Sequence, residues 1–273
     1  MSHYGSGDVL SAEVITGYLE SAETFRVEVR KTVTSTNTVL REMAAKSCSG
    51  DVPEGLVLAA EEQSAGKGRL GRSFYSPGGH GVYFSLLLRP RLKACDAALI
   101  TPAAAVAAAL AIEAVTGARA GIKWVNDLFL NGKKVCGILT EATFSMGGGI
   151  VESAVLGVGI NTTRPENGYP EGLDGAAALA DRIAGKNNER SRLIAATLNK
   201  FWRYYKDLPA RGFLDEYRAR SVVLGQDIYV LSDGGKKRAR ALAIDDDCRL
   251  VVRYDNGGAA VLDSGEVSIA IDN

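Results

Sequence analysis

A glycine-rich loop that joins two strands is the feature that most constrains what this chain can fold into. The loop, GKGRLGR at residues 66–72, follows the apolar run EGLVLAAEEQ and precedes HGVYFSLLLRP. Both runs have the composition of buried strands. A dinucleotide-binding fold requires a helix after such a loop, and the V-A-I-K, H-R-D and D-F-G elements of protein kinases are missing. The pattern G-x-x-x-x-G-K-[S/T] of a P-loop is missing too, so the loop serves a different kind of site.

The loop is positive in a chain that has no net charge. Lys67, Arg69 and Arg72 lie in it, while the whole sequence balances 32 basic against 32 acidic residues. A broad surface for polyanions is therefore not expected, and a local anion is the better candidate ligand. A solvated turn remains the alternative for such a loop taken alone.

Three further polar stretches favour a ligand site over a solvated turn. TSTN (34–37) precedes a predicted helix N-terminus, which suits a small polar ligand or an anion. Lys123 and Asn126 in GIKWVND, and Asn161 in GVGIN, stand at the ends of predicted strands. These stretches and the loop together predict one site.

Periodicity and capping residues predict an α+β chain. The predicted helices are a short one after Ser11 and the segments 36–47, 101–116, 176–183, 191–208 and 213–221. The predicted strands are 26–33, the two runs that flank the loop, and three strands between residues 121 and 161. After Ser221 the chain changes to five short strands, typical of a small β-barrel.

Cysteine spacing and the apolar stretches bear on the cellular compartment. Four cysteines without a C-x-x-C pair predict free thiols in a reducing cytosol. The apolar run PAAAVAAALAI has eleven residues, too few to cross a bilayer, and the first residues lack the pattern of a signal peptide. We therefore expect a cytoplasmic protein without a membrane partner.

Taken together, TSTN, EEQSAGKGRLGRSFYSP, GIKWVNDLFLNGKKVCGIL and LGVGIN closely resemble the biotin protein ligases. The tail LGQDIYVL…LDSGEVSI resembles the C-terminal domain of that family. The resemblance implies a class II synthetase-like catalytic domain, a mixed sheet with flanking helices, over residues 1–220. An SH3-like β-barrel is implied over residues 221–273. The implied enzyme activates biotin with ATP as biotinyl-5′-AMP and transfers biotin to a lysine of a biotin carboxyl carrier domain.

The same resemblance implies roles for individual residues. The implied catalytic residues are Lys123, Arg69 and Arg72. The residues implied for biotin are Ser35, Thr36, Asn37, Gln63, Gly66, Lys67, Lys123 and Gly137. Asn37 is alternatively a residue that only starts the following helix, without contact to the ligand. Those implied for ATP or the adenylate are Gly68, Arg69, Gly71, Arg72, Phe74, Lys123, Asn126 and Asn161. Magnesium is implied as a cofactor, but no protein ligand for it is assigned: Asp127 either binds it or caps a turn, and the turn is favoured.

Three positions depart from the family pattern. Lys67 replaces an arginine, Val125 replaces the proline of K-W-P-N-D, and Phe74 replaces a tryptophan near the adenine. Phe74 keeps a stacking face without the indole donor, and Lys67 replaces a planar fork with a point charge. None of the three removes a group that the chemistry needs.

Two other functions stay open at this point. A lipoate ligase shares the fold and the adenylate chemistry, but its R-R-x-S-G-G-G type segment is absent. A non-catalytic binder of small molecules is disfavoured because Lys123, Arg69 and Arg72 are all present. No DNA-binding helix-turn-helix is expected from the 34 residues before STN, and the chain is expected to be a monomer or a homodimer.

Overall fold

Two sheets form the framework of the protein. The computed structural model describes residues 8–46, 52–145, 147, 149–179, 188–232 and 235–269. The strands of the larger sheet are β1 (Arg26–Val33), β2 (Leu56–Gln63), β3 (Gly81–Leu88), β4 (Gly121–Lys123), β5 (Asp127–Leu130), β6 (Lys133–Phe144) and β7 (Val151–Asn161). Their order is β1-β2-β3-β7-β6-β5-β4, with β1 and β2 parallel and the other pairs antiparallel. The predicted mixed sheet is therefore confirmed.

Helices cover both faces of this sheet. They are α1 (Ala12–Gly17), α2 (Thr36–Lys46), α3 (Ala94–Ala97), α4 (Ile100–Thr116), α5 (Glu189–Tyr205) and α6 (Leu214–Ala219). Ser11 caps α1 by accepting a hydrogen bond from the amide of Val14, as its sequence position predicts. Gly117 ends α4 in a left-handed conformation with φ of 72°, which glycine adopts without steric cost.

The two faces are covered unequally. Helices α4 and α5 pack over one face in the main apolar core, which includes Val57, Phe84 and Val158. On the other face Leu40 of α2 packs against a smaller cluster that includes Leu58 and Val155. Because α2 has only 11 residues, about 16 Å at 1.5 Å per residue, it leaves part of that face open over β6 and β7.

Two expectations about secondary structure were wrong. The segment 121–161 contains four strands instead of three, because the chain turns at residues 124–126 between β4 and β5. The described part of the predicted helix 176–183, residues 176–179, is not helical; residues 180–183 lie outside the described part. The amides of Ala177 and Leu179 donate instead to the carbonyls of Lys134 and Asn161, so this backbone runs along the strand ends.

One helical segment is longer than the sequence suggested. The helical segment Ala94–Thr116, which includes α3 and α4, has 23 residues and contains an 18-residue stretch of mean hydropathy 2.0, enough by length and composition to cross a membrane. The estimate from eleven residues was therefore too short. However, 72% of the apolar stretch is buried inside the protein. Its place in the core accounts for its composition.

The C-terminal region forms a second, SH3-like sheet. Its strands are β8 (Asp227–Ser232), β9 (Gly235–Ile244), β10 (Leu250–Tyr254), β11 (Ala259–Leu262) and β12 (Glu266–Ile269), all paired antiparallel in the order β11-β10-β9-β8-β12. The chain enters it along β4, where Val222 N donates to the Ile122 carbonyl at 2.9 Å. The division at residue 221 stays a prediction, since Ser221 still pairs with Ile122.

Three of the four cysteines lie in the described part of the chain, and all three are free thiols. Cys95 is exposed, whereas Cys136 and Cys248 are buried. Burial raises the pKa of the Cys136 thiol, and it raises the pKa of Cys248 to about 12. Both buried thiols are therefore neutral at physiological pH, as expected of structural cysteines.

Candidate active site

A cavity of about 450 Å³ opens on the sheet face that α2 leaves uncovered. The cavity is lined by most of the residues that were assigned to a ligand site from the sequence. They are Ser35, Thr36, Asn37, Gln63, Lys67, Gly68, Arg69, Arg72, Phe74, Lys123, Asn126 and Gly137. A volume of this size accommodates a small organic ligand.

Glycines on β6 and β7 create the floor of the cavity. A Cβ on Gly159 would lie 2.6 Å from the Phe74 ring, and one on Gly137 would lie 3.2 Å from it. A Cβ on Gly157 would lie within 2.1 Å of Oδ1 of Asn37. Side chains at these positions would therefore displace Phe74 or Asn37. The glycines allow both residues to lie directly on the sheet.

One end of the cavity is a network of small polar groups. Gln63 Oε1 accepts from the Thr36 amide at 2.8 Å, and Gln63 Nε2 donates to Ser76 Oγ at 2.8 Å. Ser85, which is fully buried, bonds to Thr36 Oγ1 at 2.7 Å and to Asn37 Oδ1 at 2.6 Å. The network fixes the side chains of Thr36, Asn37 and Gln63 before any ligand arrives.

Asn37 is a structural anchor as well as a cavity residue. Its Nδ2 donates to Glu141 Oε2 at 2.9 Å, and Glu141 also pairs with Arg41 at 2.9 Å. The sequence left open whether Asn37 only starts the helix. The structure places it in α2, 3% exposed, with its side chain holding α2 against β6.

The basic loop folds as a tight hairpin over the cavity. The Gly68 amide donates to the Arg72 carbonyl at 2.7 Å, and Lys67 pairs with Ser73 in an isolated bridge. A short 3₁₀ turn covers Arg69–Gly71, with Leu70 at a left-handed φ of 53°. Arg69 Nη1 donates to Asn126 Oδ1 at 3.0 Å, which ties the middle of the loop to the turn after β4.

Three of the assigned residues do not line the cavity. Gly66 is the first residue of the loop, and a Cβ there would meet the Phe74 carbonyl oxygen at 2.4 Å. Gly71 has φ of 74° and open space around it, so it serves the turn of the loop. Asn161 is buried, and its Nδ2 donates to the Ala177 carbonyl at 3.0 Å, which fixes the non-helical segment 176–179.

Lys134 is a cavity residue that we did not predict from the sequence. Lys123, Asp127 and Gly137 lie opposite one another on the neighbouring strands β4, β5 and β6. The tight turn between β5 and β6 places Lys134 in the lining of the cavity as well. Lys134 Nζ forms an ion pair of 2.7 Å with Asp127 Oδ1. The signal was present in NGKK, a tight-turn sequence followed by two lysines.

Lys123 and Lys134 are held differently in the cavity. Lys123 Nζ lies over the Phe129 ring, 5.3 Å from its centroid, whereas Lys134 is paired with a carboxylate. Together with Lys67, Arg69 and Arg72 they place five cationic groups around one cavity. Such an arrangement favours ligands that carry several negative charges.

Within the described part of the chain, no group of three or more His, Cys, Asp or Glu side chains could hold a metal ion. Asp127 is a carboxylate that lines the cavity, and it is engaged by Lys134. A Mg²⁺ ion that keeps its waters and binds phosphate oxygens needs only one or two protein carboxylates. The donor set therefore fits an ion carried by a nucleotide.

Comparison with known families gives two matches along the chain. Residues 29–161 match the model of the biotin/lipoate A/B protein ligase family, and residues 223–269 match that of the biotin protein ligase C-terminal domain. All residues assigned to the cavity from the sequence lie within the first match.

Similar curated proteins and solved structures agree with these matches. The bifunctional ligase/repressor BirA of Bacillus subtilis is 34% identical over 82% of this chain and 68% of its own length. The biotin–[acetyl-CoA-carboxylase] ligase of Mycobacterium tuberculosis is 31% identical over 86% of each chain. The biotin protein ligase of Aquifex aeolicus, solved with biotin and ATP, superposes with a TM-score of 0.70 at 24% identity, covering 90% of this chain and 99% of that one.

Proposed function

Because the chain belongs to the biotin protein ligases, within the biotin/lipoate A/B protein ligase family, we propose that its cavity joins biotin to ATP and passes the activated biotin to a carrier lysine. The product of the first half-reaction is biotinyl-5′-AMP with release of pyrophosphate. In the second, the lysine amine attacks the acyl carbon, AMP leaves, and an amide forms. Neither half-reaction needs a nucleophile from the enzyme.

The observation that carries this proposal is the polarity gradient of the cavity. One end presents a fixed network of neutral hydroxyls and amides around Thr36 and Gln63. The other presents the cations Lys123, Lys134 and Arg69. A ligand with a neutral hydrogen-bonding head and a carboxylate tail suits this gradient, and biotin has both.

Positive charge is what the first half-reaction requires. A carboxylate must approach the α-phosphate of ATP, so two anions have to come together before a bond forms. Lys123 and Lys134 lower the repulsion between these two anions. They also stabilise the negative charge that builds on the oxygens of the pentacoordinate phosphorus. Arg69 and Arg72 bind phosphate oxygens through their planar guanidinium groups.

The neutral end of the cavity holds the ureido ring of biotin. Ser35 and Thr36 are almost fully buried at the start of α2, and Gln63 is already oriented by Thr36 and Ser76. Prior orientation lowers the entropy lost on binding. The Lys67 side chain lies 3.9 Å from Glu141, which leaves the backbone of Lys67 to face the ligand.

Phe74 supplies the stacking face for the adenine. Its ring lies on Gly137 and Gly159 and meets Tyr83 edge to face, with ring centroids 6.3 Å apart. The ring is thus held from two sides in the cavity. Gly68 allows the loop backbone to approach the nucleotide closely.

We expect Gly159→Ala to weaken ATP binding while biotin binding is retained. The new Cβ would lie 2.6 Å from the Phe74 ring, so the ring must move from its place in the cavity. The Michaelis constant for ATP should rise about 10-fold, the effect of about 1.4 kcal/mol of lost binding. Steady-state kinetics with each substrate varied in turn measures this.

Gly212→Ala is the matched control, since a Cβ there meets nothing within 4 Å. An unchanged Michaelis constant for ATP in Gly159→Ala would remove Phe74 from the adenine site.

The acceptor we propose is the biotin carboxyl carrier domain of a biotin-dependent carboxylase, and the compartment is the cytoplasm. The named function of the Mycobacterium tuberculosis relative, a biotin–[acetyl-CoA-carboxylase] ligase, supports this class of partner. Asp127 is the cavity carboxylate that would hold a Mg²⁺ ion brought in with ATP, and the ion would neutralise part of the phosphate charge. Monomeric and dimeric forms are both compatible with this function.

We expect no sequence-specific DNA binding from these 273 residues. The charges of the chain balance, so electrostatic attraction to the phosphate backbone is weak. Gel-shift titration against operator-like duplexes at physiological salt, with and without biotin, measures it. A specific complex in the nanomolar range would contradict this expectation.

The proposed function is tested by transfer of label to an acceptor. The protein is incubated with ATP, a purified carrier domain, and either labelled biotin or labelled lipoate. Biotin on the carrier lysine supports the proposal, while lipoate on it favours the related lipoate ligase activity. Binding of biotin without any label on the carrier would indicate a non-catalytic binder.

A further inference from the structure

The turn that carries Lys123 and Asn126 is held by groups from outside the larger sheet. Between them lie Trp124 and Val125. The indole Nε1 of Trp124 donates to the Cys248 carbonyl at 2.9 Å, and the hydroxyl of Tyr217 donates to the Val125 carbonyl at 2.9 Å. Trp124 is only 4% exposed, so its N–H needs this partner.

The Cys248 carbonyl belongs to a tightly braced turn between β9 and β10 of the C-terminal sheet. We call residues 245–249 the DDDCR turn. The Asp245 carboxylate accepts from the amides of Asp247 at 3.0 Å and Arg249 at 2.9 Å. Cys248 itself has φ of 60°, a left-handed conformation that costs a non-glycine residue about 1–2 kcal/mol. Such a conformation persists when the surrounding contacts determine it.

Two arginines of the catalytic region, Arg211 and Arg218, hold the DDDCR turn by hydrogen bonds. Arg211 donates through Nε to the Asp246 carbonyl at 2.8 Å and through Nη2 to Asp247 Oδ1 at 2.9 Å. Arg218 of α6 donates through Nε to the Ile244 carbonyl at 2.9 Å and through Nη2 to Asp246 Oδ1 at 2.7 Å. The DDDCR turn is thus fixed relative to α6, which also supplies Tyr217.

We propose that the DDDCR turn is a positioning element for the first half-reaction, acting through Trp124 on Lys123 and Asn126. The inference rests on the proposed function. It gives the C-terminal sheet a role in activating biotin that is separate from any contact with the acceptor. Trp124 and the two arginines are positioning residues in this account.

The contacts continue from the turn into the cavity. Asn126, two residues after Trp124, accepts from Arg69 at 3.0 Å and donates to the Ile138 carbonyl at 2.8 Å. A shift of the Trp124 backbone would therefore move Lys123 on one side and the anchor of Arg69 on the other. At the neutral end of the cavity, Thr36 and Gln63 bond to each other and to Ser85 and Ser76, so biotin binding should be insensitive to a shift at Trp124.

Tyr217 acts as a fixed second anchor. Burial raises the pKa of its phenol well above the ordinary value, so it remains a neutral donor at physiological pH. Loss of the Trp124 bond therefore leaves the turn held at Val125 by Tyr217 and at Asn126 by its bonds to Arg69 and Ile138. The backbone at Lys123 then gains freedom without the turn unfolding.

The test compares three variants of the full chain. Trp124→Phe retains an aromatic ring in the core and removes the indole donor. The double variant Arg211→Ala, Arg218→Ala releases the DDDCR turn, and its arginines are about one-third exposed, so the core is not opened. Arg240→Ala is the control, because it removes an arginine that pairs with Asp227 within the C-terminal sheet.

We expect Trp124→Phe and the double arginine variant each to lower kcat for biotinyl-5′-AMP formation about 10-fold, with biotin affinity unchanged. Combining them should give little further loss, because both act through one hydrogen bond. Arg240→Ala should match the wild type. Should Trp124→Phe fail to fold, the arginine variant alone decides, with biotin affinity as the check of folding.

Failure of the proposed function and failure of the positioning inference give different experimental results. If the wild-type protein forms no adenylate, the proposed function is wrong. If the wild type forms it and both positioning variants keep the wild-type kcat, or if their losses multiply in the combined variant, the DDDCR turn does not position Lys123 and Asn126.

Discussion

Lys134→Ala is expected to slow formation of biotinyl-5′-AMP by about 10²- to 10³-fold, the scale for removing one group that stabilises transition-state charge. Lys134 lines the cavity and is held at 2.7 Å by Asp127, so its ammonium group is in place before substrates bind. Biotin affinity should change far less, because the neutral network around Thr36 and Gln63 is untouched. Single-turnover measurement of the adenylate separates these two quantities.

Lys133→Ala is the matched control for charge and position. Lys133 is the preceding residue in β6, is exposed, and does not line the cavity. It should retain the wild-type rate. Lys123→Ala is expected to lose 10²- to 10³-fold as well, about as much as Lys134→Ala. Adenylate formation at the wild-type rate in either cavity variant would remove that lysine from the chemistry.

Arg69→Gly is expected to produce an enzyme that makes the adenylate and fails to retain it. Arg69 lies mid-loop over the cavity and is tied to Asn126 at 3.0 Å. A charge-assisted hydrogen bond contributes about 1.5–3 kcal/mol, so adenylate retention should fall by about 10- to 100-fold. The released mixed anhydride should then label exposed lysines of unrelated bystander proteins, because the loop no longer shields it.

Mass spectrometry of a mixture of bystander proteins measures this labelling. Arg91→Gly serves as control, since Arg91 is an exposed arginine with a left-handed φ of 48° that does not line the cavity. Bystander labelling at the wild-type level, while Arg69→Gly still forms adenylate, would show that Arg69 does not retain the intermediate.

Features set by neighbouring residues were predictable from the sequence. Ser11 at the start of α1 and Gly117 at the end of α4 have local capping roles that the sequence reveals. The strands on both sides of GKGRLGR formed as expected, since apolar runs and glycines determine them locally. The TSTN side chains and the basic loop reach the same cavity, because β1 and β2 are parallel neighbours and end side by side.

Features that depend on strand pairing in the folded chain could not be predicted from the sequence. Lys134 enters the cavity only because the β5–β6 hairpin places it beside Asp127. Residues 176–179 have a helix-forming composition, but the amides of Ala177 and Leu179 donate to carbonyls at the ends of β6 and β7. Asn161 was assigned to the ligand from its place at a strand end, and its amide faces the Ala177 carbonyl instead.

The contact between Trp124 and Cys248 joins residues 124 positions apart. No periodicity or motif relates these two stretches, because the contact depends on how the C-terminal sheet sits against β4. Its consequences for Lys123 therefore emerge only from the folded chain.

Biotin-dependent exchange of labelled pyrophosphate into ATP is the decisive measurement for biotin activation in this cavity. The assay reports reversible formation of the adenylate and needs no acceptor protein. We expect exchange that requires biotin and that lipoate does not support. Lys134→Ala should reduce the exchange rate by about 10²- to 10³-fold, and Lys133→Ala should leave it unchanged. Absence of biotin-dependent exchange in the wild-type protein, supplied with ATP and Mg²⁺, would contradict it.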